Sequence, residues 1–220
     1  MMLYGLIYHI GMIRSHGAMV KRYGKDYTMR FTATSDRYFK QVSKKTPDIG
    51  KSVFSFNYAF APAYIAWYKT AVELGTNDNN IQDLLWLMNE KIITAIPSFF
   101  RKACGRMYLN SFRKKAPMHE KREMQGKVHT YDFLIHFIPK GKSHFGIDIT
   151  RCGLRTIAAD FDALGIFPAV CRVDYMIGEY LHLGFIRTKT LGDGDDCCNC
   201  RYEIGGMCRW APEEGFENRK

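Results

Sequence analysis

The spacing of apolar side chains changes character near the middle of the chain. Up to about residue 115 the spacing is typical of helices, with a break expected at Gly24 in a helical stretch over 11–45. A long apolar helix is predicted over 52–74, and another over 97–115. Between them the clearest amphipathic stripe recurs at intervals of three and four residues, at Ile81, Leu84, Leu85, Met88 and Ile92.

Beyond residue 128 apolar residues alternate with polar ones, as they do in half-buried strands. Two alternating runs, 131–137 and 145–149, flank a glycine-containing loop and predict a β-hairpin. A second hairpin is predicted from 185–191 and 197–204, and two helical segments are expected between the hairpins. The predicted fold class is therefore α+β, with N-terminal helices packed against an antiparallel sheet in a β-β-α-α-β-β C-terminal half.

This order of elements also predicts how the chain is divided. We expect a helical part over 1–115, a polar connection over 116–128, and an α+β part over 128–210 that carries the functional site. The two parts are expected to form one continuous domain, which suits a chain of 220 residues. Residues 211–220 are predicted to form a polar, frayed tail.

Charge raises the question of a nucleic-acid partner, because 32 Lys and Arg oppose 22 Asp and Glu. The excess is concentrated in 1–50 and 101–127, and no nucleic-acid-binding motif accompanies it, so a solvated helix end is the better interpretation and no nucleic-acid partner is expected. No membrane span or secretory signal is predicted, which favours a cytoplasmic protein. The apolar segment at the N-terminus suits a homo-oligomer.

Cysteine is the first residue type with possible chemistry, and six of the seven cysteines lie after residue 150. An odd number of cysteines without a secretory signal argues against a disulfide framework. Cys152 follows a predicted strand and begins a predicted helix, where the helix dipole and Arg151 would stabilise a thiolate. The alternative is that Cys152 is simply a small buried apolar residue.

Asp174 is the second candidate, because it lies on the apolar stripe of its predicted helix. A carboxylate that faces a core must be paired, hydrogen-bonded or protonated. Cys171 lies one turn earlier on the same helix and would present its thiol to much the same region. The alternative is a structural aspartate bonded to backbone N–H groups or to Arg187.

The last predicted strand adds a third group. Alternation places Cys198 and Cys200 on its buried face and Asn199 on the opposite face. A zinc knuckle is a weak hypothesis here, because Cys197 and Cys200 form a single C-x-x-C pair that would point to opposite faces of a regular strand. A more specific hypothesis is a catalytic zinc site in which three thiolates, those of Cys152, Cys171 and Cys198, and a water molecule bind the metal. The cofactor is therefore left open: either none, or a divalent metal such as zinc at these cysteines.

Taken together, these residues resemble the L-2-amino-thiazoline-4-carboxylic acid hydrolase family. The resemblance lies in the sequence D-I-T-R-C over 148–152, in the C-x-x-D of 171–174, and in the block R-T-K-T-L-G-D-G of 187–194 that precedes the cysteine-rich strand. The P-D-I-G turn at 47–50 before a long apolar helix adds to it. Two positions depart from the family, because Asn199 stands where the family has Asp and Cys200 where it has Phe.

The resemblance implies a hydrolase that opens a small cyclic C–N/C–S substrate, such as a 2-amino-thiazoline carboxylate, to an N-carbamoyl thiol amino acid. The implied site is a cysteine/aspartate site with a small carboxylated molecule as its partner. The alternative is a non-catalytic small-molecule or zinc-thiolate binding module of the same family. The candidate catalytic residues are Cys152, Cys171, Asp174 and Cys198. The candidate substrate-binding residues are Arg151, Arg187, Thr188, Thr190, Gly194 and Asn199.

Overall fold

A computed structural model of the chain describes residues 2–208, in which helices precede and then cover one antiparallel sheet. Within those residues no helix is both long and apolar enough to span a bilayer. The N-terminal helices are α1 (Met2–Tyr23), α2 (Lys25–Lys45), α3 (Ser55–Tyr58), α4 (Ala61–Glu73), α5 (Asp78–Ile93) and α6 (Ser98–Met124). The remaining elements are β1 (Leu134–Pro139), β2 (His144–Arg151), α7 (Gly153–Ala159), α8 (Phe167–Val170), α9 (Val173–Tyr180), β3 (Leu183–Ile186) and β4 (Cys198–Ile204), with 3₁₀ turns at Leu164–Ile166 and Leu191–Asp193.

The helical half is built around α4, which buries side chains on all its faces. Trp67 and Ile65 are fully buried there, and α1, α2 and α5 pack around them. The predicted break at Gly24 is confirmed, since this residue adopts a positive φ of 87° between α1 and α2. The prediction of one continuous helix over 52–74 is wrong, because a turn at residues 59–60 separates α3 from α4.

Helix α6 runs farther than its composition predicts. The segment 116–128, expected to be a polar connection, is helical up to Met124, so that prediction is wrong for most of its length. Pro117 lies inside the helix, where it removes one backbone hydrogen bond. The helix is nevertheless held in place by a buried stripe with a seven-residue repeat, namely Gly105, Leu109, Phe112, Ala116 and His119.

The sheet has the strand order β1-β2-β4-β3, with antiparallel pairing throughout. The predicted α+β class and the first hairpin are confirmed. The second hairpin is wider than predicted, because β3 ends at Ile186 and residues 187–197 form a loop that contains a 3₁₀ turn. The helix predicted to begin at Pro168 is divided into α8 and α9 at residues 171–172. The predicted polar tail over 211–220 lies outside the described residues.

Candidate functional site

A cavity of about 330 Å³ lies between the helical half and the inner face of the sheet. Its wall includes aromatic residues of α3, α4 and α6, among them Phe56, Tyr64 and Tyr108, and also residues of α9 and β4. Both parts of the chain therefore contribute to one cavity. Cavities of this size accept small molecules.

Asp174 and Arg187 form an ion pair in the cavity wall, with 3.0 Å between Arg187 Nη1 and Asp174 Oδ2. The Arg187 side chain is 3% exposed, and it also donates a hydrogen bond to the backbone carbonyl of Cys171. The Asp174 side chain keeps 36% of its surface accessible. Burial among protein atoms raises the pKa of the Asp174 carboxyl group, although Arg187 opposes the shift.

The structure brings the three predicted thiols to the same cavity as Asp174. Cys152 immediately precedes α7, Cys171 lies between α8 and α9, and Cys198 is the first residue of β4; all three line the wall. Burial raises the pKa of Cys152 well above the usual range of a thiol, with a smaller contribution from Cys171. Burial also raises the pKa of Cys171 to about 11, while Arg187 and Thr190 act in the opposite direction. The dipole of the short helix α7 therefore does not make Cys152 an acidic thiol.

Cys198 has two polar groups beside its sulfur. Its sulfur lies 3.3 Å from the backbone nitrogen of Leu191, which donates to it, and 3.4 Å from the hydroxyl oxygen of Thr190. The loop therefore places one N–H donor and one hydroxyl group, which can donate or accept, next to this sulfur. The extra thiol of Cys200, two residues farther along the same buried face, has its pKa raised by burial.

The loop between β3 and β4 is anchored next to the thiols. The fully buried Arg172 makes two hydrogen bonds of 2.8 Å to the carboxylate of Asp193. Gly192 lies so close to Cys171 that a β-carbon at this position would approach the Cys171 sulfur to 2.5 Å. The loop thus leaves no room for a side chain at Gly192 while it covers Cys171.

The predicted substrate-binding residues divide into two groups. Arg187 lines the cavity. Thr190 does not line it, but it lies next to Cys198 and caps the 3₁₀ turn. The guanidinium group of Arg151 is bonded to the backbone carbonyls of Asp132 and His129, outside the cavity wall. The other three, Thr188, Gly194 and Asn199, also lie outside the wall.

Asn199 and its neighbours organise the loop. The Asn199 side chain accepts hydrogen bonds from the backbone N–H groups of Thr188 and Lys189, and it donates to the Thr188 hydroxyl. Gly194 ends the 3₁₀ turn with a φ of 92°, a conformation that favours glycine. We therefore assign these residues to the shape of the loop rather than to contact with a ligand.

A zinc-thiolate site requires at least three ligands around one point. Across residues 2–208, no group of three or more His, Cys, Asp or Glu side chains is arranged to hold a metal ion. Cys152, Cys171 and Cys198 line the cavity without forming such a cluster. Their arrangement does not fit the three-thiolate metal site considered from the sequence.

Sequence reasoning missed polar residues that approach the site from the helices. Tyr64 donates a hydrogen bond of 2.5 Å to Asn89, and both side chains line the cavity. Burial raises the pKa of Tyr108 to about 12, with Asp174 adding to the shift. The negative charge of Asp174 also acts on Tyr64 and Tyr202. The tyrosine at position 64 follows Phe56 and Phe60 at intervals of four, which is the one sequence signal that placed it on their face.

The fold and the cavity define a class of protein: an α+β protein with a ligand-sized cavity that contains a carboxylate and several thiols. Residues 57–202 match the family described as L-2-amino-thiazoline-4-carboxylic acid hydrolase, and the chain belongs to this family. The predicted resemblance is thereby confirmed. No curated protein matches the chain.

The solved structures that resemble the chain do so at low similarity. The Fe(II) unliganded H-NOX protein from K. algicida is 14% identical over 94% of this chain and 99% of that chain, with a TM-score of 0.36. A second H-NOX structure, from work on heme distortion in that family, is 13% identical over 90% and 95% of the two chains, with a TM-score of 0.30. At TM-scores this low the superpositions do not establish a shared fold.

Proposed function

We propose that the protein is a hydrolase that opens a small cyclic C–N/C–S substrate of the 2-amino-thiazoline type, using Asp174 and Cys198. The observation that carries this proposal is the presence of an accessible carboxylate in the wall of one cavity together with five thiols, those of Cys104, Cys152, Cys171, Cys198 and Cys200. The hydrolase family to which the chain belongs supports the same reaction class. The product would be a urea that bears a free thiol.

Asp174 is the candidate general base. Its raised pKa makes the carboxylate a better proton acceptor than an ordinary aspartate, which suits activation of a water molecule. The water oxygen would attack the ring carbon between nitrogen and sulfur, and the carbon–sulfur bond would break. Of the two water protons, one ends on the ring nitrogen and the other on the released sulfur.

Cys198 offers a second route to the same product. Its thiolate would attack the same ring carbon and expel the ring sulfur, and water would then release the urea and restore the thiol. The Leu191 N–H group and the Thr190 hydroxyl would stabilise the thiolate before attack and again when it leaves. The raised pKa values of Cys152 and Cys171 make these thiols weaker candidates for the nucleophile.

The test is turnover of 2-amino-2-thiazolines, followed by the thiol that appears in a protein-free filtrate. Asp174→Asn is expected to lower kcat by about 10²–10⁴, the usual contribution of a general base. Cys198→Ala separates the two routes, because it abolishes turnover only if the thiol attacks the substrate. Cys197→Ala is the control, since this neighbouring thiol lies outside the cavity wall.

Two outcomes would argue against the proposal. Full activity in Asp174→Asn would eliminate the carboxylate as the base. Saturable binding of the thiazolines by the wild-type protein without any thiol release would favour the alternative, a non-catalytic small-molecule binding module. Circular dichroism and thermal melting of each variant distinguish loss of function from loss of fold.

A further inference from the structure

The cavity is far more apolar than a small carboxylated substrate requires. From α3 through the turn at 59–60 into α4, the side chains of Phe56, Phe60 and Tyr64 follow one another at intervals of four residues, and all three line the wall. The rings of Phe60 and Tyr64 have their centroids 5.6 Å apart. Phe112 of α6 and Ile149 of β2 line other parts of the same wall. The surface that a ligand meets is thus largely aromatic and aliphatic.

The accessible charge in this cavity is negative. Asp174 and Arg187 are the charged residues among the wall residues that the structure describes. Arg187 is 3% exposed and already bonded to Asp174 and to the Cys171 carbonyl, whereas Asp174 keeps 36% of its side chain accessible. A ligand carboxylate would therefore meet the anion first, and it would have to displace Asp174 to reach the cation.

No second arginine in the described wall takes the role of a carboxylate clamp. Arg151, the other cation predicted to bind a substrate carboxylate, is bonded to the carbonyls of Asp132 and His129 outside the wall. Arg172 is fully buried and pairs with Asp193 through both ends of its guanidinium group. Both guanidinium groups are already hydrogen-bonded within the protein, so neither is available to a substrate carboxylate.

From these observations we infer that the substrate is a cationic cyclic isothiourea with an aryl or alkyl substituent in place of a carboxylate. The inference rests on the proposed hydrolase function and specifies its substrate class. The protonated amidine end would pair with Asp174, and the substituent would lie against the aromatic ladder of Phe56, Phe60 and Tyr64. Hydrolysis needs water alone: its oxygen bonds to the ring carbon and the carbon–sulfur bond breaks. One water proton ends on the released sulfur, and the other passes through Asp174 to solvent, because the ring nitrogen of the cation is already protonated. The product is a neutral mercaptoalkyl urea that bears the apolar substituent.

The volume of the cavity agrees with such a ligand. A cavity of roughly 150 Å³ lined by aliphatic and aromatic side chains accommodates benzene. The cavity described above measures about 330 Å³, approximately twice that volume. It has room for a five-membered ring beside Asp174 and for a phenyl-sized group next to it.

Three probes test the substrate class: 2-amino-4-phenyl-2-thiazoline, 2-amino-2-thiazoline-4-carboxylate and the unsubstituted 2-amino-2-thiazoline. Binding is measured by titration calorimetry and turnover by thiol release. We expect the phenyl compound to bind at least tenfold more tightly than the carboxylate. A single methylene group in an apolar pocket already changes affinity by about tenfold or more. Equal affinities, or tighter binding of the carboxylate, would overturn the inference.

A matched pair of variants locates the preference in the cavity. Phe60→Ala removes a wall residue and is expected to reduce the phenyl-over-carboxylate preference by about tenfold, while Phe60→Leu retains part of it. Phe99→Ala removes an exposed aromatic ring outside the wall and is expected to leave the preference unchanged. An unchanged preference in Phe60→Ala would contradict the inferred position of the substituent.

The two readouts separate the substrate class from the hydrolase function. Tight, Phe60-dependent binding of the phenyl compound without thiol release would support the inferred ligand class and refute the proposed hydrolysis. Thiol release that is faster from the carboxylate than from the phenyl compound would support the hydrolysis and refute the ligand class. Failure of all three probes to bind would overturn the inference.

Discussion

Replacing Arg187 by methionine would leave the carboxylate of Asp174 without its ion-pair partner inside the protein. The two side chains are 3.0 Å apart, where unit charges attract by roughly 5 kcal/mol at an effective dielectric constant near 20. Removing one partner of a buried pair costs about 3–5 kcal/mol. Because Asp174 is partly accessible from the cavity, we expect the lower end of this range, about 3 kcal/mol.

The loss should depend on pH with a definite sign. Burial already raises the pKa of Asp174 above its ordinary value of 3.8, so the folded state binds this proton more tightly than the unfolded state. Stability therefore falls as the pH rises from 3.8 through the raised pKa. Without Arg187 the pKa rises further, so the deficit of Arg187→Met relative to the wild type grows with pH and shrinks on acidification.

Urea unfolding at several pH values measures the free energy of unfolding of the variant and the wild type. In thermal unfolding at pH 7, the melting temperature of Arg187→Met is expected to be lower by about 6–12 °C. Arg37→Met is the matched control, because Arg37 pairs with Glu73 on the surface and its loss should cost no more than about 1 kcal/mol. Asp174→Asn combined with Arg187→Met should recover at least about 1 kcal/mol of the single-variant loss at pH 7. Equal losses of stability in Arg187→Met and Arg37→Met would refute the role of the buried ion pair. So would a stability difference between Arg187→Met and the wild type that does not shrink at acidic pH.

Two further predictions concern Cys171 and the loop that covers it. Gly192→Ala should destabilise the protein by about 1–3 kcal/mol, because the new methyl group would overlap the Cys171 sulfur, and adding Cys171→Ala should restore part of the loss in thermal melts. Alkylation of Cys171 by iodoacetamide in the folded protein should be slow at pH 8 and accelerate about tenfold per pH unit toward its pKa of about 11, as followed by peptide mass spectrometry. A pH-independent rate would contradict the raised pKa of this thiol.

Much of the fold is visible in local periodicity. The alternation around residues 139–142 defines β1 and β2, and the buried face predicted for Cys198 and Cys200 is the one observed. The extent of α6 was missed because charged residues and Pro117 outweighed the seven-residue stripe. That stripe is stabilised by packing on the sheet, a long-range effect that local propensity does not contain.

The candidate site was partly predictable for a related reason. A carboxylate on an apolar helical stripe needs a partner, and Arg187 was among the partners considered for Asp174. The contribution of Tyr64 and Tyr108 depends on how the helical half folds over the sheet. The spacing of Tyr64 from Phe60 predicts a shared face, but it does not distinguish a cavity wall from a core. The same holds for Arg151, whose bonds to a distant loop become visible only in three dimensions.

The position of β4 has a consequence for the order in which the protein assembles. This strand follows the other strands in the chain, yet it lies between β2 and β3 and is hydrogen-bonded to both. Contacts between residues so far apart in the chain slow folding, because the intervening loop must close first. During synthesis the helices can form early, whereas the sheet must wait for residues 198–204 to emerge. The cavity and its thiols are thus completed only after β4 has emerged, and chains truncated before β4 would expose the apolar wall.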